Sequence, residues 1–455
     1  RQRQMCIRDR GTPMSYISRR SFTLVTMLSP LTGRAARLGL GVAPAESQVS
    51  APPIDGPDGL PIEWIPAPYE QYGPGLAKYG NHDIAHRPSS PLLTRVVIHD
   101  TEETYDTTIK LVQKPSYLAW NYTLRSSDGH VAQHLDPHDV GWHSGNWYYN
   151  MHATGLEHEG RAVEGMSWYT DAMYRSSAAL VRHLCRKYSV PMTRGHIIGH
   201  DEVPGIDTEH IKTMHWDPGP YWDWARYFEL LGCPLTDGTT DAAPQPGDVV
   251  RILPDFASNT QVYDGRVVTG LNFVTARQAP SQDAPAVVDI GIRPGPATTE
   301  PSDVGARLNT GAEYVVAEVG GQDDEWIAVW YLGTKAWLHN PVAQPVARVV
   351  PGARTVRVVS RTSGYGRAFP EASAYPDPGW VQPDATLPYV LDPDQRYVVI
   401  DPEPPTDYYR SKTFGSPPPT DHVDVIGQDR YVCVFLGHRQ GYLKVTDVRS
   451  DWLGA

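Results

Sequence analysis

The feature that most constrains this chain is a short run of β-branched apolar residues that ends in a histidine. Residues 94–101 read Thr-Arg-Val-Val-Ile-His-Asp-Thr. A run of this length and composition is typical of a strand that is buried on both faces of a sheet. The sequence therefore predicts a buried central strand with His99 at its end.

The elements around this strand predict an α/β domain. Asp128-Gly129 separates two short strand-like runs, and this dipeptide is a strong hairpin signal. A further short strand is predicted over 154–160. A helix is predicted over 170–188, where the first residue is a threonine that can cap it, and a second helix lies within 222–231. The predicted fold is a mixed central β-sheet flanked by helices.

Six motifs follow one another in this region: VVIHDT, the hairpin, GWHSG, GLEHEG, GHDEVPG and HWDPGPYWDW. Their order resembles that of the zinc-dependent N-acetylmuramoyl-L-alanine amidases, a family with a peptidoglycan-recognition or phage-lysozyme-like fold. The resemblance covers roughly residues 90–232. It implies an enzyme that hydrolyses the bond between N-acetylmuramic acid and L-alanine in peptidoglycan, with Zn²⁺ as cofactor and muramoyl peptide as partner.

The resemblance also implies roles for individual residues. His99, His200 and Asp217 match the metal ligands, and Glu157 matches the catalytic carboxylate. His215 stands where relatives have a Lys or another polar residue. Imidazole and carboxylate groups suit zinc, and a catalytic site keeps a fourth position for water. A nearby carboxylate can take a proton from that water, and a second polar group can donate to the developing oxyanion.

Two of these roles have alternatives in the sequence. Glu159 follows Glu157 by two residues, which on a strand puts both side chains on one face. The motif position favours Glu157 as the base, but the spacing alone does not decide. His215 is predicted as a catalytic residue that donates to the oxyanion, and the alternative is that it only shapes the pocket wall.

A substrate groove is predicted from aromatic side chains near these motifs. His143, Trp142 and Tyr122 are its predicted lining residues. For His143 the alternative is a structural ring beside Trp142.

The first ninety residues are predicted to precede the catalytic domain. Residues 1–13 resemble sequencing-adapter read-through rather than native protein. Residues 14–45 carry a pair of arginines and an Ala-Pro-Ala triplet, which resemble a twin-arginine signal peptide and imply a secreted or cell-wall protein. A disordered basic arm is the alternative. Residues 46–90 are predicted to be a Pro- and Gly-rich leader that wraps the next domain with little regular structure.

The rest of the chain is predicted to hold a catalytic domain, a linker and two repeats. The domain spans 91–233, and a polar linker follows over 234–249. Residues 250–346 and 350–455 repeat imperfectly, and their short strands predict small all-β barrels. The pattern resembles bacterial Src-homology-3-like domains, which implies wall binding through the repeats. The second copy has a Pro-rich insertion over 402–419, predicted as a loop.

Composition excludes several other classes of protein. The net charge of −12 at pH 7 argues against a nucleic-acid partner, because phosphate binding needs a basic face. No run of 18 apolar residues occurs, so no membrane span is predicted. The four cysteines include no CxxC pair, which excludes a thiolate zinc cluster. Cys185 and Cys233 are predicted either to form a disulfide or to stay buried thiols.

Two other functions fit the same motifs. One is a non-catalytic peptidoglycan-binding protein on the same fold, which the presence of all three predicted ligands disfavours. The other is a zinc amidase or peptidase that acts on another cell-wall peptide bond. The sequence has no HExxH motif, and this removes the most common zinc-peptidase pattern.

Overall fold

A mixed six-stranded sheet organises the first half of the protein. The computed structural model describes residues 54–450 except 77, 86, 88–90, 412–413 and 415–421. The predicted read-through segment and signal peptide therefore lie outside the described residues. The strands of this half are β1 Ile62–Trp64, β2 His82–Asp83, β3 Arg95–Asp100, β4 Tyr122–Leu124, β5 Val131–Gln133, β6 Val140–Gly141, β7 Ala153–His158 and β8 Ile197–Gly199. The order in the main sheet is β1-β5-β4-β7-β3-β8.

Five helices accompany the sheet: α1 Tyr105–Val112, α2 Trp147–His152, α3 Asp171–Tyr188, α4 Thr208–Ile211 and α5 Trp224–Leu231. The side chain of Thr170 accepts a hydrogen bond from Met173 N, as expected of a helix N-cap. The predicted hairpin is also present, because β4 and β5 pair in antiparallel fashion around Gly129, which has φ +71°. The predicted helix, hairpin and strands of this α/β domain are confirmed. Among the described residues, no helix is both long and apolar enough to cross a membrane.

The register of the sheet separates a core face from a site face. β3 runs parallel to β7, and the Cα of His99 pairs with that of Glu157 while the Cα of Ile98 pairs with that of Leu156. Because side chains alternate along a strand, Ile98 and Leu156 point to the face covered by α3 and α5. His99 and Glu157 share the opposite face.

The leader contributes to the sheet, which differs from its predicted lack of regular structure. β1 pairs in parallel with β5 and forms the edge of the main sheet, and β2 pairs with β6. The leader adds to the sheet because an edge strand, here β5, offers unpaired backbone N–H and C=O groups to β1.

The second half of the chain is all-β. Its strands are β9 Val249–Ile252, β10 Thr260–Tyr263, β11 Arg266–Thr269, β12 Phe273–Thr275, β13 Arg307–Asn309, β14 Glu313–Gly320, β15 Trp326–Tyr331, β16 Thr334–His339, β17 Ala347–Val349, β18 Thr355–Val358, β19 Thr362–Tyr365, β20 Thr386–Leu391, β21 Arg396–Asp401, β22 Asp407–Ser411, β23 His422–Ile426, β24 Tyr431–Phe435, β25 Gln440–Lys444 and β26 Val448–Arg449. We call β9–β17 the first repeat and β18–β26 the second repeat.

The two repeats have the same strand succession. The first repeat contains the order β16-β15-β14-β9-β17, and the second contains β25-β24-β21-β18-β26. These strands correspond one to one in chain order, which supports the internal repeat seen in the sequence. β17 pairs with β9 at 347–349, so the first sheet extends beyond the predicted boundary at residue 346. The Src-homology-3-like assignment stays a prediction.

The Pro-rich insertion is not a plain loop. It contains β22, which pairs with β23 just after the insertion, and this hairpin lies against the α/β domain. The indole N–H of Trp147 donates to the carbonyl of Tyr409 at 2.9 Å, and His152 Nε2 lies 2.8 Å from Asp407 Oδ1. Proline-rich composition predicted an irregular loop, but these contacts stabilise a paired hairpin on either side of the proline cluster.

The predicted linker is packed against the domains that it joins. Leu235 is buried in the same cluster as the α3 and α5 side chains, and Thr240 N donates to the carbonyl of Val349 at 2.8 Å. The described residues belong to one compact unit. Cys185 and Cys233, close to this segment, are free thiols, which decides between the two alternatives for this pair in favour of thiols.

Both repeats share buried clusters with the α/β domain. Tyr263 and Phe273 of the first repeat lie in one cluster with Trp222 of the α/β domain. In the same way, Tyr442 of the second repeat lies in one cluster with Val97 of β3. The repeats therefore contribute side chains to the hydrophobic core of the α/β domain and are not separate domains on a free linker.

This shared core predicts that a chain shortened to end at Gly232 is unstable. Each large apolar side chain exposed by the cut costs about 1.5–3 kcal/mol, against about 5–15 kcal/mol for a whole domain. We expect a much lower melting temperature than that of the full chain, or no soluble folded protein, measured by calorimetry and limited proteolysis. A shortened chain with the melting temperature of the full chain would contradict the shared core.

Candidate active site

The carboxyl ends of three neighbouring strands define the site. β3, β7 and β8 are parallel, so their ends meet at one edge of the sheet. His99 lies near the end of β3, and His200 opens a short 3₁₀ turn directly after β8. Asp217 lies in the loop before α5 and reaches the same edge. The structure therefore brings together the three residues predicted as metal ligands.

The three side chains converge closely. His99 Nδ1 lies 3.1 Å from His200 Nδ1 and 3.2 Å from Asp217 Oδ2, and His200 Nδ1 lies 3.1 Å from Asp217 Oδ1. All three are buried. The same three residues form the one group of histidine, cysteine, aspartate or glutamate side chains in the described chain that has the spacing of a metal site.

The charges of this group fit a divalent cation. Burial, together with the neighbouring His200, lowers the pKa of His99 to about 4, so the ring is neutral. Burial alone would raise the pKa of Asp217, but the charge of His200 and hydrogen bonds from three histidines hold it well below its usual value. Neutral imidazoles and an ionised carboxylate are the donors that zinc prefers.

His143 lies next to His99, one of the predicted metal ligands. Its Nδ1 lies 3.0 Å from Nε2 of His99, on the ring edge away from His200. A Cβ on Gly155 would lie 2.8 Å from the ring of His143, so only glycine leaves room for the ring at that position. His143 is buried, and its contact with substrate stays a prediction. Contacts of this kind orient a ligand ring and fix its tautomer.

Trp142 and Tyr122, which are also predicted to line the groove, make contacts inside the fold. The indole N–H of Trp142 donates to Asp83 Oδ2 at 3.2 Å, and the ring is buried with the second repeat's cluster. The Cα of Tyr122 pairs with that of Leu156, which places its side chain on the face opposite Glu157. Its hydroxyl donates to the carbonyl of Asp55 at 2.8 Å. Both aromatics stabilise the core.

Glu157 faces the predicted metal ligands from the neighbouring strand. It is buried, and its Oε2 has no hydrogen-bond partner among the described residues. Burial raises the pKa of Glu157 well above its usual value, and the negative charges of Asp217, Asp100 and Glu102 raise it further. A buried carboxyl with an unused oxygen can accept a hydrogen bond from water or substrate.

Glu159 has a different environment. Its Oε1 accepts a hydrogen bond from Tyr105 N at 2.9 Å, and its Oε2 accepts one from Ser126 N at 2.8 Å. β7 ends at His158, so the strand alternation does not extend to Glu159. Both oxygens hold backbone groups of neighbouring loops, which favours Glu157 as the residue available for chemistry.

His215 lies at the accessible side of the site. Its Nδ1 is 3.3 Å from Asp217 Oδ1, and its ring centroid is 4.6 Å from that of His200. Its side chain is 17% exposed, against 3% or less for the three predicted ligands. Burial lowers the pKa of His215, although its hydrogen bond to Asp217 opposes this effect.

Two carboxyl groups near the site were not predicted from the sequence. Asp100 is buried, and its Oδ1 accepts a hydrogen bond from Glu102 N at 3.0 Å. Burial raises the pKa of Glu102 to about 7, and the charge of Asp217 contributes. Glu102 has φ +49°, a left-handed backbone conformation that is uncommon for residues other than glycine. The acidic run His-Asp-Thr-Glu-Glu after the predicted strand was the available signal.

The fold and the site together are typical of one class of enzyme. Two histidines and one carboxylate lie at the ends of parallel strands, beside a buried glutamate whose Oε2 has no partner among the described residues. This arrangement is typical of zinc hydrolases. Residues 89–220 match the model of the N-acetylmuramoyl-L-alanine amidase family. This match confirms the prediction that the α/β segment is an enzyme domain of that hydrolase class.

Relatives of known name each match a part of the chain. N-acetylmuramoyl-L-alanine amidase A of Achromobacter lyticus is 29% identical over 171 residues, which are 34% of this chain and 90% of the relative. The 1,6-anhydro-N-acetylmuramyl-L-alanine amidase AmpD of Escherichia coli K12 is 34% identical over 116 residues, 24% of this chain and 57% of AmpD. The match thus spans little more than half of AmpD. An endolysin amidase of Clostridium intestinale has 17% identity and a TM-score of 0.28, and covers 38% of this chain and 95% of the endolysin.

Proposed function

We propose that this protein is an exported zinc hydrolase that cleaves the amide bond between N-acetylmuramic acid and L-alanine in peptidoglycan. The observation that carries the proposal is the convergence of His99, His200 and Asp217 beside Glu157. The match of residues 89–220 to the amidase family supports the choice of substrate.

The ligand residues would hold the ion in this proposal. Zn²⁺ bound there would supply Lewis-acid activation of water and of the scissile carbonyl. His99 keeps its orientation through its contact with His143. A positive charge among the ligands would also offset the negative charges that raise the pKa of Glu157, and so favour its ionised form.

The remaining site residues would move protons and bind charge. Glu157 would take a proton from the attacking water and return it to the leaving amine of L-alanine. His215, at the accessible side, would donate a hydrogen bond to the oxygen that becomes negative as the amide is attacked. Glu159 stays outside this chemistry because both of its oxygens are occupied.

Export and wall binding are parts of the same proposal. The paired arginines within 14–45 support export by the twin-arginine route. For wall binding, the aromatics Trp326, Trp337, Tyr431 and Tyr442 are largely buried. We therefore place any wall contact on the outer surface of the repeats rather than on these rings.

Mass spectrometry of peptidoglycan digested by the zinc-loaded protein tests the proposal. We expect intact glycan strands and released stem peptides whose new amino terminus is L-alanine. New termini inside the stem peptide would instead support the peptidase alternative. Unchanged peptidoglycan that co-sediments with the protein would support the non-catalytic binding alternative.

A further inference from the structure

Side chains of both β repeats make hydrogen bonds to the turn that carries His200. We propose that Asn309, His438 and Arg439 are positioning residues that fix the metal ligand His200 and, through it, Asp217. This inference rests on the proposed metal centre and assigns the repeats a part in building it.

The contacts converge on Asp201, the residue after the ligand. His438 Nε2 lies 3.0 Å from Asp201 Oδ2, and Asn309 Nδ2 donates to the same oxygen at 3.3 Å. Arg439 Nε donates to the carbonyl of Asp201 at 3.2 Å. All four residues are buried, so water does not compete for these hydrogen bonds.

His438 and Arg439 are themselves held in place. His438 Nδ1 donates to the carbonyl of Arg307 at 3.0 Å, which fixes the ring from its other side. Arg439 Nη1 donates to the carbonyl of Ile211 at 3.0 Å. The two residues follow β24 and precede β25, so a tight turn of the second repeat presents both to the α/β domain.

The next residue of the turn is held in the same way. Glu202 Oε2 accepts hydrogen bonds from Arg194 Nη1 at 2.5 Å and from Gly199 N at 2.8 Å. Asn309 Nδ2 lies 3.4 Å from Glu202 Oε1 and so contacts both acidic residues of the turn. Side chains of both repeats thus contact the turn, and Asn309 and His438 share one oxygen of Asp201.

The turn also connects the two ligands. Asp201 N donates to the carbonyl of Asp217 at 2.8 Å, so a shift of the Asp201 backbone moves the Asp217 loop as well. Zinc sites tolerate only small errors in ligand position, and loss of a residue that orients a ligand typically costs about 10–100-fold in metal affinity. We expect the same range for loss of His438.

The protein offers a matched control for the general cost of cutting the interface. His152 and Asp407 form a second buried His–carboxylate pair between the α/β domain and the second repeat, with His152 Nε2 2.8 Å from Asp407 Oδ1. His152 directly precedes β7, so it lies at the opposite end of that strand from Glu157. Loss of this pair removes similar contacts far from the metal ligands.

The test compares His438→Ala with His152→Ala in the full chain. Zinc affinity is measured by competition with a chromophoric chelator, the visible spectrum is recorded after Co²⁺ replaces zinc, and melting temperatures are measured on the metal-free proteins. We expect both variants to melt at lower temperature, but only His438→Ala to bind zinc about 10–100-fold more weakly and to change the Co²⁺ spectrum. His438→Gln, whose amide can still donate to Asp201, should regain most of the affinity.

If His438→Ala does not fold, Asn309→Ala replaces it in the same measurements. Asn309→Ala removes one hydrogen-bonding group and leaves the turn of the second repeat intact. Wild-type zinc affinity and Co²⁺ spectrum in the folded variants would overturn the inference, as would equal changes in the His152 control. A wild-type chain that binds neither ion would overturn the proposed metal centre itself, and the inference with it.

Discussion

Replacement of Glu157 by Gln is expected to lower turnover by about 10²–10⁴-fold, or roughly 3–5 kcal/mol of transition-state stabilisation, while the zinc content stays unchanged. Gln keeps the size of the side chain and part of its hydrogen bonding, but it cannot accept a proton. Turnover is measured on a soluble muramoyl peptide, and zinc is measured by elemental analysis of the same preparation.

Glu159→Gln is the matched control, since the two residues are neighbours and receive the same chemical change. It should cost far less in turnover and show its effect in stability, because Glu159 holds Tyr105 N and Ser126 N through its two oxygens. A Glu159 variant without activity beside a Glu157 variant with near-normal turnover would reverse the roles proposed for the two. Loss of zinc from Glu157→Gln would make Glu157 a ligand instead.

The central part of the site could be predicted because its ordered motifs resemble those of a known family. His99 and Glu157 stand on predicted strands, and the order of the motifs places His200 and Asp217 at the same edge of the sheet. The helix cap and the hairpin were predictable because each depends on residues adjacent in sequence.

The surroundings of the predicted groove residues could not be derived from the sequence, because proximity in sequence does not give the face of a strand. Tyr122 lies one residue from the position that pairs with Glu157, and one residue is enough to reverse the direction of a side chain. His143 is near the ligands as predicted, but on the buried side. Glu102 was missed because its approach to the site depends on a left-handed backbone conformation that an acidic run does not indicate.

The packing of the repeats could not be predicted from composition. Asp201 and His438 are 237 residues apart in sequence, and no local pattern indicates that they meet. The segment over 234–249 is polar and the insertion is Pro-rich, which are features of free spacers, yet both pack on the α/β domain. Long-range contacts of this kind depend on the complementary shapes of two folded domains and not on the sequence of any one segment.

Removal of a ligand is the most severe change expected at the site. Asp217→Ala should weaken zinc binding by orders of magnitude and abolish hydrolysis, because two histidines alone rarely hold zinc and the carboxylate is the charged member of the set. In the wild-type protein, a chelator should likewise abolish activity and added zinc should restore it. Zinc affinity by chelator competition and turnover on the soluble muramoyl peptide measure the two effects separately.

Asp223→Ala is the control for the loss of an aspartate from the same segment. Asp223 accepts a hydrogen bond from Arg226 N and caps α5, so its removal should cost about 0.5–2 kcal/mol of stability and leave zinc bound. Asp217→Ala should differ in both respects. Asp217 sits within 3.3 Å of a nitrogen atom of each of His99, His200 and His215, so its loss removes the negative charge that all three histidines share. Full zinc occupancy and full activity in Asp217→Ala would remove Asp217 from the metal centre and leave His215 as the residue to examine in its place.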